Sequence, residues 1–150
     1  MENKISSSII GGIAGTAVIT ATMLLANALG MQGIDFGKML AEFTHTTPII
    51  GWIMHFLMGT LLAFVYVYFF RDEFQAPYPI RGVIYSIIPY VVTMILLFPM
   101  SVMSTGNKID SPGVFILATM LAYFAYGYVM GSISKPHGVT TASTLKAPLN

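Results

Sequence analysis

Charged residues are missing from four long stretches of this 150-residue chain. No Asp, Glu, Lys or Arg occurs in four windows of 24 to 30 residues, which are 5–34, 43–70, 82–107 and 111–134. A helix needs about 20 apolar residues to cross the hydrocarbon of a bilayer, so each window is long enough for one crossing and too short for two. The pattern predicts an all-α integral membrane protein with four transmembrane helices.

The composition excludes several other classes of protein. Charged residues make up 9% of the chain, against about 25% in soluble domains. With 55% hydrophobic residues and a mean hydropathy of +0.76, neither a soluble domain nor a disordered chain is expected. A net charge of +1 leaves no basic face for nucleic acid. A transmembrane barrel is excluded because 53–70 is apolar on all sides, whereas barrel strands alternate.

The four spans are predicted at about 5–28, 49–70, 80–103 and 112–133. They form one transmembrane domain over residues 1–134, followed by a flexible tail at 135–150.

Prolines and hydroxyl residues mark several span boundaries. Thr47 before Pro48 and Ser111 before Pro112 each predict a side-chain N-cap followed by proline at the first helical position. Pro77 and Pro79 are expected in the turn after the second span, and Pro89 is expected to kink the third.

Basic residues predict the orientation of the spans. The N-terminus, the second connection and the tail share one side and carry five of them, whereas the other side carries two. By the positive-inside rule, the protein lies in the inner (plasma) membrane with both termini in the cytoplasm. The five are Lys4, Arg71, Arg81, Lys135 and Lys146, and the two are Lys38 and Lys108. A competing interpretation makes the first span a signal peptide cleaved after Ala26-Asn27-Ala28.

The first connection contains a candidate amphipathic helix within 34–43. Apolar residues recur there at helical spacing, and Asp35, Lys38 and Glu42 fall on the other face. This pattern is typical of a short helix lying on the outer membrane surface. An ordinary solvated loop is the alternative.

The spans also suggest an internal duplication. A shift of 71 residues places Ile9, Gly11 and Thr22 of the first span on Ile80, Gly82 and Thr93 of the third, and a shift of 68 aligns the second span with the fourth. We therefore expect two tandem helical hairpins related as parallel repeats.

Small and polar residues recur every three or four positions along each span. Such stripes form packing seams between membrane helices, line cavities or mediate dimerisation. The polar side chains expected in the interior are Thr20, Asn27, His55, Tyr90, Thr93 and Tyr123.

His55 is the histidine predicted inside a span, about 10 Å below the outer boundary. A neutral side chain hydrogen-bonded across the seam is one interpretation, and proton or ion passage is another. A Cu(I) site is a third, with Met23 and Met94 as weak candidate ligands. A haem is not expected, because no second histidine within a span could serve as the other axial ligand. A catalytic dyad of His55 with Ser86 is not expected either, because the two side chains are predicted at different depths in the membrane.

The second span resembles a motif of small four-helix bacterial membrane proteins of unknown function. The motif is Gly51-Trp52-x-x-His55-Phe56-x-x-Gly59, and the resemblance extends over the four spans but not the tail. Many members carry a second histidine near the position of Tyr123, so the resemblance does not imply a two-histidine metal site here. It implies no activity.

These observations predict a non-enzymatic protein without a cofactor. It has no cysteine, no acidic residue within a span and no nucleophile motif. We expect an accessory or scaffold component of a membrane complex, with the lipid bilayer, further membrane subunits or a second copy as partners. The alternative is a small channel, transporter or Cu(I)-handling protein centred on His55.

Overall fold

The structure, a computed structural model, describes residues 4–30, 35–105 and 112–136. These residues form helices and no strand. The helices are α1 (Lys4–Ala28), α2 (Phe36–Phe43), α3 (Pro48–Val65), α4 (Tyr78–Thr105) and α5 (Pro112–Ile133), and a π-helical segment at Tyr66–Phe70 continues α3.

Four of these helices are long and apolar enough to cross a membrane. The segments that meet this criterion are Lys4–Ala28, Pro48–Phe70, Tyr78–Leu96 and Pro112–Ile133. The predicted all-α fold with four spanning helices is confirmed, and the chain is a multi-pass membrane protein. Most of the predicted tail lies outside the described residues.

The short helix α2 is amphipathic. Phe36, Gly37 and Ala41 are buried, whereas Lys38 and Glu42 on the other face are exposed. Asp35 caps the helix by accepting a hydrogen bond from the Lys38 backbone N–H at 2.9 Å. The structure therefore confirms the amphipathic helix in the first connection and not the solvated loop.

Two boundary predictions need correction. Thr47 lies at the N-cap and Pro48 at the first helical position, but the Thr47 hydroxyl makes no cap hydrogen bond. Its backbone carbonyl instead accepts the Gly51 N–H at 3.1 Å. Pro79, predicted in the turn, is the second residue of α4, where a missing N–H has no helical acceptor to lose. Pro89 lies within α4, and Ser111 lies outside the described residues.

Close backbone contact joins the helices in the order α3, α1, α5, α4. α1 packs on both α3 and α5, α5 packs on α4, and α2 packs on α3, whereas α3 and α4 share no extensive interface. Gly82 and Gly127 lie where α4 and α5 cross, and a Cβ on either would overlap the other's carbonyl. The predicted hairpin repeat stays a prediction.

Two buried arginines fix the end of the bundle opposite α2, called here the arginine end. Arg71 donates to the Ser134 carbonyl at the end of α5, at 3.3 Å. Arg81 donates to the carbonyls of Arg71, at 2.7 Å, and Ala76, at 2.5 Å. These carbonyls lack partners within a helix, so the guanidinium groups satisfy them and tie α3, α4 and α5 together.

Candidate functional site

His55 lies where α1, α2 and α3 meet. Its residue is 9% exposed, and its Nε2 lies 3.2 Å from the Thr20 hydroxyl of α1. The Phe36 ring of α2 stacks on the imidazole with ring centroids 5.1 Å apart, and Trp52 meets it edge-on at 5.8 Å. The histidine is therefore held on two sides by packing and on a third by a hydroxyl.

Four of the six predicted polar interior residues form two separate pairs. Thr20 pairs with His55 between α1 and α3, and Thr93 pairs with Tyr123 between α4 and α5, with hydroxyl oxygens 2.5 Å apart. The Tyr90 ring packs edge-on against Tyr123, with centroids 5.9 Å apart. Asn27, expected in the interior, is exposed near the end of α1. It borders a small cavity beside α2.

The candidate copper ligands do not all line one cavity. Met23 is buried and borders the small cavity beside α2, whereas His55 lines a larger cavity, and Met94 lines neither. Two methionines that were not predicted, Met39 and Met58, line the larger cavity with His55. Across the described part of the chain, no group of three or more His, Cys, Asp or Glu side chains can hold a metal ion.

Ser86, weighed as a nucleophile, lies at the interface of α4 and α5. Its hydroxyl donates to the Val83 carbonyl at 2.7 Å, and a Cβ on Gly127 would lie 2.8 Å from its own Cβ. It is fully buried in this interface and does not line the cavity of His55.

The larger cavity, called here the central cavity, has a volume of about 360 Å³ and takes side chains from all five helices. It lies where α3 and α4 diverge. At their other ends these helices touch, because the Tyr85 hydroxyl of α4 donates to the Leu62 carbonyl of α3 at 2.9 Å. The polar side chains that line the cavity are Thr16, His55, Tyr85, Thr93, Tyr123 and Tyr126.

The wall of the central cavity is otherwise apolar, and no Asp, Glu, Lys or Arg among the described residues lines it. Three of its hydroxyls donate to backbone carbonyls. Thr16 donates to Gly12 at 2.7 Å, Tyr126 to Gly59 at 2.8 Å and Tyr85 to Leu62 at 2.9 Å. Burial of these polar groups therefore leaves none of the three donors unsatisfied.

The mouth of the central cavity opens between α3 and α4, beside α2. Met58 on α3 and Leu96 on α4 line the cavity although they are 53% and 58% exposed, so they stand at its rim. Phe43 of α2 lines the cavity at the same side and is also exposed. Met58 and Leu96 belong to segments that are long and apolar enough to span a membrane.

Sequence reasoning left a lined cavity as one alternative for the polar stripes, but it did not identify which residues line the central cavity. Tyr85 and Tyr126 were not among the candidates, and the sequence signal that could have found them is tyrosine inside an apolar span. A buried tyrosine needs a hydrogen-bond partner, as Tyr126 and Tyr85 find in the carbonyls of α3.

A comparison with protein-family models finds one match. The family of unknown function DUF6789 matches residues 2–141, nearly the whole chain. No curated protein and no solved structure matches the chain. The prediction of a family of unknown function is confirmed, and the chain belongs to DUF6789.

Proposed function

We propose that this protein binds an apolar molecule of the bilayer in the central cavity and carries out no chemistry on it. The observation that carries the proposal is the cavity itself, with its volume of about 360 Å³ and its uncharged wall. Ligand sites in proteins are concave, largely apolar and roughly 300–1,000 Å³ in volume, with a few polar groups that orient the ligand. The central cavity meets each of these criteria.

The position of the mouth supports a ligand that arrives from the membrane. Met58, Val92 and Leu96 line the rim, and all three are exposed on the surface of the bundle between α3 and α4. In a bilayer, that surface faces hydrocarbon rather than water. A lipid-soluble molecule can enter there without being transferred through an aqueous phase.

The absence of chemistry follows from the polar groups of the wall. Thr16, Tyr85 and Tyr126 donate to backbone carbonyls, and the hydroxyl within reach of His55, that of Thr20, does not line the cavity. Catalytic dyads need a base within hydrogen-bonding distance of the group it activates. Simple binding agrees with the accessory role expected from the sequence, in an inner membrane with both termini in the cytoplasm.

The experiment compares two neighbouring positions on α4. Ile88 lines the central cavity, whereas Ile87 is similarly exposed and does not. We expect native mass spectrometry of the protein purified from membranes in a mild detergent to show a bound apolar molecule. Ile88→Trp fills the cavity and should remove the molecule, whereas Ile87→Trp should retain it. An empty wild-type protein, or equal retention by both variants, would contradict the proposal.

Copper binding is a second candidate, because Met39 and Met58 line the central cavity together with His55. Thioether and imidazole groups suit Cu(I). Metal analysis of the same purified protein distinguishes the two. Stoichiometric copper that Met58→Leu removes would favour the metal, whereas a metal-free protein with a bound lipid favours the apolar ligand. Membrane subunits that copurify in fixed stoichiometry would support the accessory role in either case.

A further inference from the structure

Two hydroxyl groups in the wall of the central cavity carry two protons, and only one of these protons has a hydrogen-bond acceptor among the described residues. Thr93 Oγ1 and Tyr123 Oη lie 2.5 Å apart, and both residues are buried and line the cavity. Each hydroxyl has one proton, and only one of the two protons can lie between the oxygens. Within residues 4–30, 35–105 and 112–136, no acceptor takes the second proton.

Among the hydroxyl residues of the wall, the spare donor is specific to this pair. Thr16, Tyr85 and Tyr126, the other hydroxyl residues of the wall, each direct their proton to a backbone carbonyl. Buried donors are paired in native proteins, because a donor removed from water without an acceptor lowers stability. An unused donor at a cavity wall therefore indicates that the occupant of the cavity supplies an acceptor.

The surroundings restrict the chemistry of that acceptor. No cationic side chain from the described part of the chain lines the cavity, so a carboxylate or phosphate group would be desolvated there without a counter-charge. A carbonyl oxygen is neutral, accepts a hydrogen bond and brings no proton of its own.

We propose that the central cavity binds a neutral lipid through a carbonyl oxygen, which accepts the spare proton of the Thr93–Tyr123 pair. The hydrocarbon tail of that lipid leaves through the mouth between Met58 and Leu96. This inference rests on the proposed binding function and names the ligand class. Two kinds of lipid fit this description, a quinone with a long tail and an acylglycerol ester, because each is uncharged and has a carbonyl group.

The experiment uses three probes that carry similar tails and differ in their carbonyl groups. The full-length protein in nanodiscs is titrated with 2-decyl-1,4-benzoquinone, with 1-decanoylglycerol and with decylbenzene, which has no carbonyl. We expect at least one carbonyl probe to bind about tenfold more tightly than decylbenzene, since one satisfied buried donor has roughly that effect on affinity. The infrared band of the bound carbonyl should shift to lower wavenumber. The tighter of the two carbonyl probes identifies the source.

Variants assign the effect to the hydroxyl pair. The double variant Thr93→Val/Tyr123→Phe should abolish the preference for the carbonyl and leave the affinity for decylbenzene unchanged, which also shows that the cavity is intact. Each single variant keeps one hydroxyl with one proton and should keep most of the preference. Thr119→Val in α5 is the matched control, because the Thr119 hydroxyl donates to the Phe115 carbonyl and does not line the central cavity, and it should leave the affinity for all three probes unchanged.

The outcomes separate the two proposals. If decylbenzene binds as tightly as both carbonyl probes, or if the double variant keeps the preference, the carbonyl assignment is wrong while binding of an apolar ligand stands. If none of the three probes binds, both the proposed function and this inference are wrong.

Discussion

The histidine of the second spanning helix illustrates how much a single residue depends on its neighbours. His55 receives a stacked ring from α2 and a hydroxyl from α1, and neither neighbour is close to it in the sequence. The sequence identified both His55 and Thr20 as interior residues, because polar side chains in apolar spans are costly unless they face the bundle. It did not identify their pairing, which depends on the register between α1 and α3.

Removal of the Thr20 hydroxyl should destabilise the bundle. Thr20→Val takes the hydrogen-bond partner from His55 Nε2, and we expect a loss of about 1 kcal/mol in the free energy of unfolding, as for other hydrogen bonds between membrane helices. Steric trapping in bicelles measures this quantity. Thr22→Val is the control, since Thr22 bonds only to the Val18 carbonyl of its own helix. Equal losses in both variants would show that the interhelical bond contributes nothing.

At the scale of helices, the closest contacts depend on residues without side chains. Gly82 and Gly127 allow the backbones of α4 and α5 to touch, and Gly59 accommodates Thr16 between α1 and α3. The sequence predicted these small-residue stripes from their spacing of three or four residues. It also predicted the helical windows, because backbone groups in hydrocarbon must be satisfied within the helix. Thr47 lies at the predicted N-cap, but its hydroxyl makes no cap hydrogen bond, which residue spacing alone does not reveal.

Alanine at Gly82 should force α4 and α5 apart. A Cβ there overlaps the Gly127 carbonyl, which belongs to backbone and cannot rotate away. We expect Gly82→Ala to cost about 1–3 kcal/mol of unfolding free energy, as overpacking does elsewhere. Gly113→Ala is the matched control in α5, because a Cβ at Gly113 meets no atom within 4 Å. That variant should be neutral or stabilising by up to about 1 kcal/mol. The opposite ranking of the two variants would contradict the assigned interface.

At the scale of the whole molecule, the bundle is closed at one end and divided at the other. Arg71 and Arg81 connect α3, α4 and α5 at the arginine end. Near α2, the central cavity separates α3 from α4, with His55 in one wall and the Thr93–Tyr123 pair in another. This asymmetry produces the candidate binding site.

Loss of the Arg81 guanidinium should open the arginine end. Arg81→Met keeps much of the side-chain volume but leaves the carbonyls of Arg71 and Ala76 without their donors. We expect a decrease of about 2 kcal/mol or more in the free energy of unfolding, because hydrogen bonds to charged groups contribute about 1.5–3 kcal/mol each. Lys38→Met removes an exposed ion pair with Asp35 and should cost under about 1 kcal/mol. Similar losses in both variants would exclude a structural role for buried Arg81.

By itself, the sequence determined that the chain has four helices long and apolar enough to cross a membrane, whereas it left the first connection open between an amphipathic helix and a loop. The four helices are local features, because hydrocarbon rejects charge and unsatisfied backbone groups whatever the rest of the chain does. Only the tertiary structure decided that α1 packs against both α3 and α5 while α3 and α4 diverge. The central cavity and the spare proton of Thr93 and Tyr123 follow from that arrangement. Helix order and register depend on contacts between residues far apart in the chain, so no single apolar window contains them.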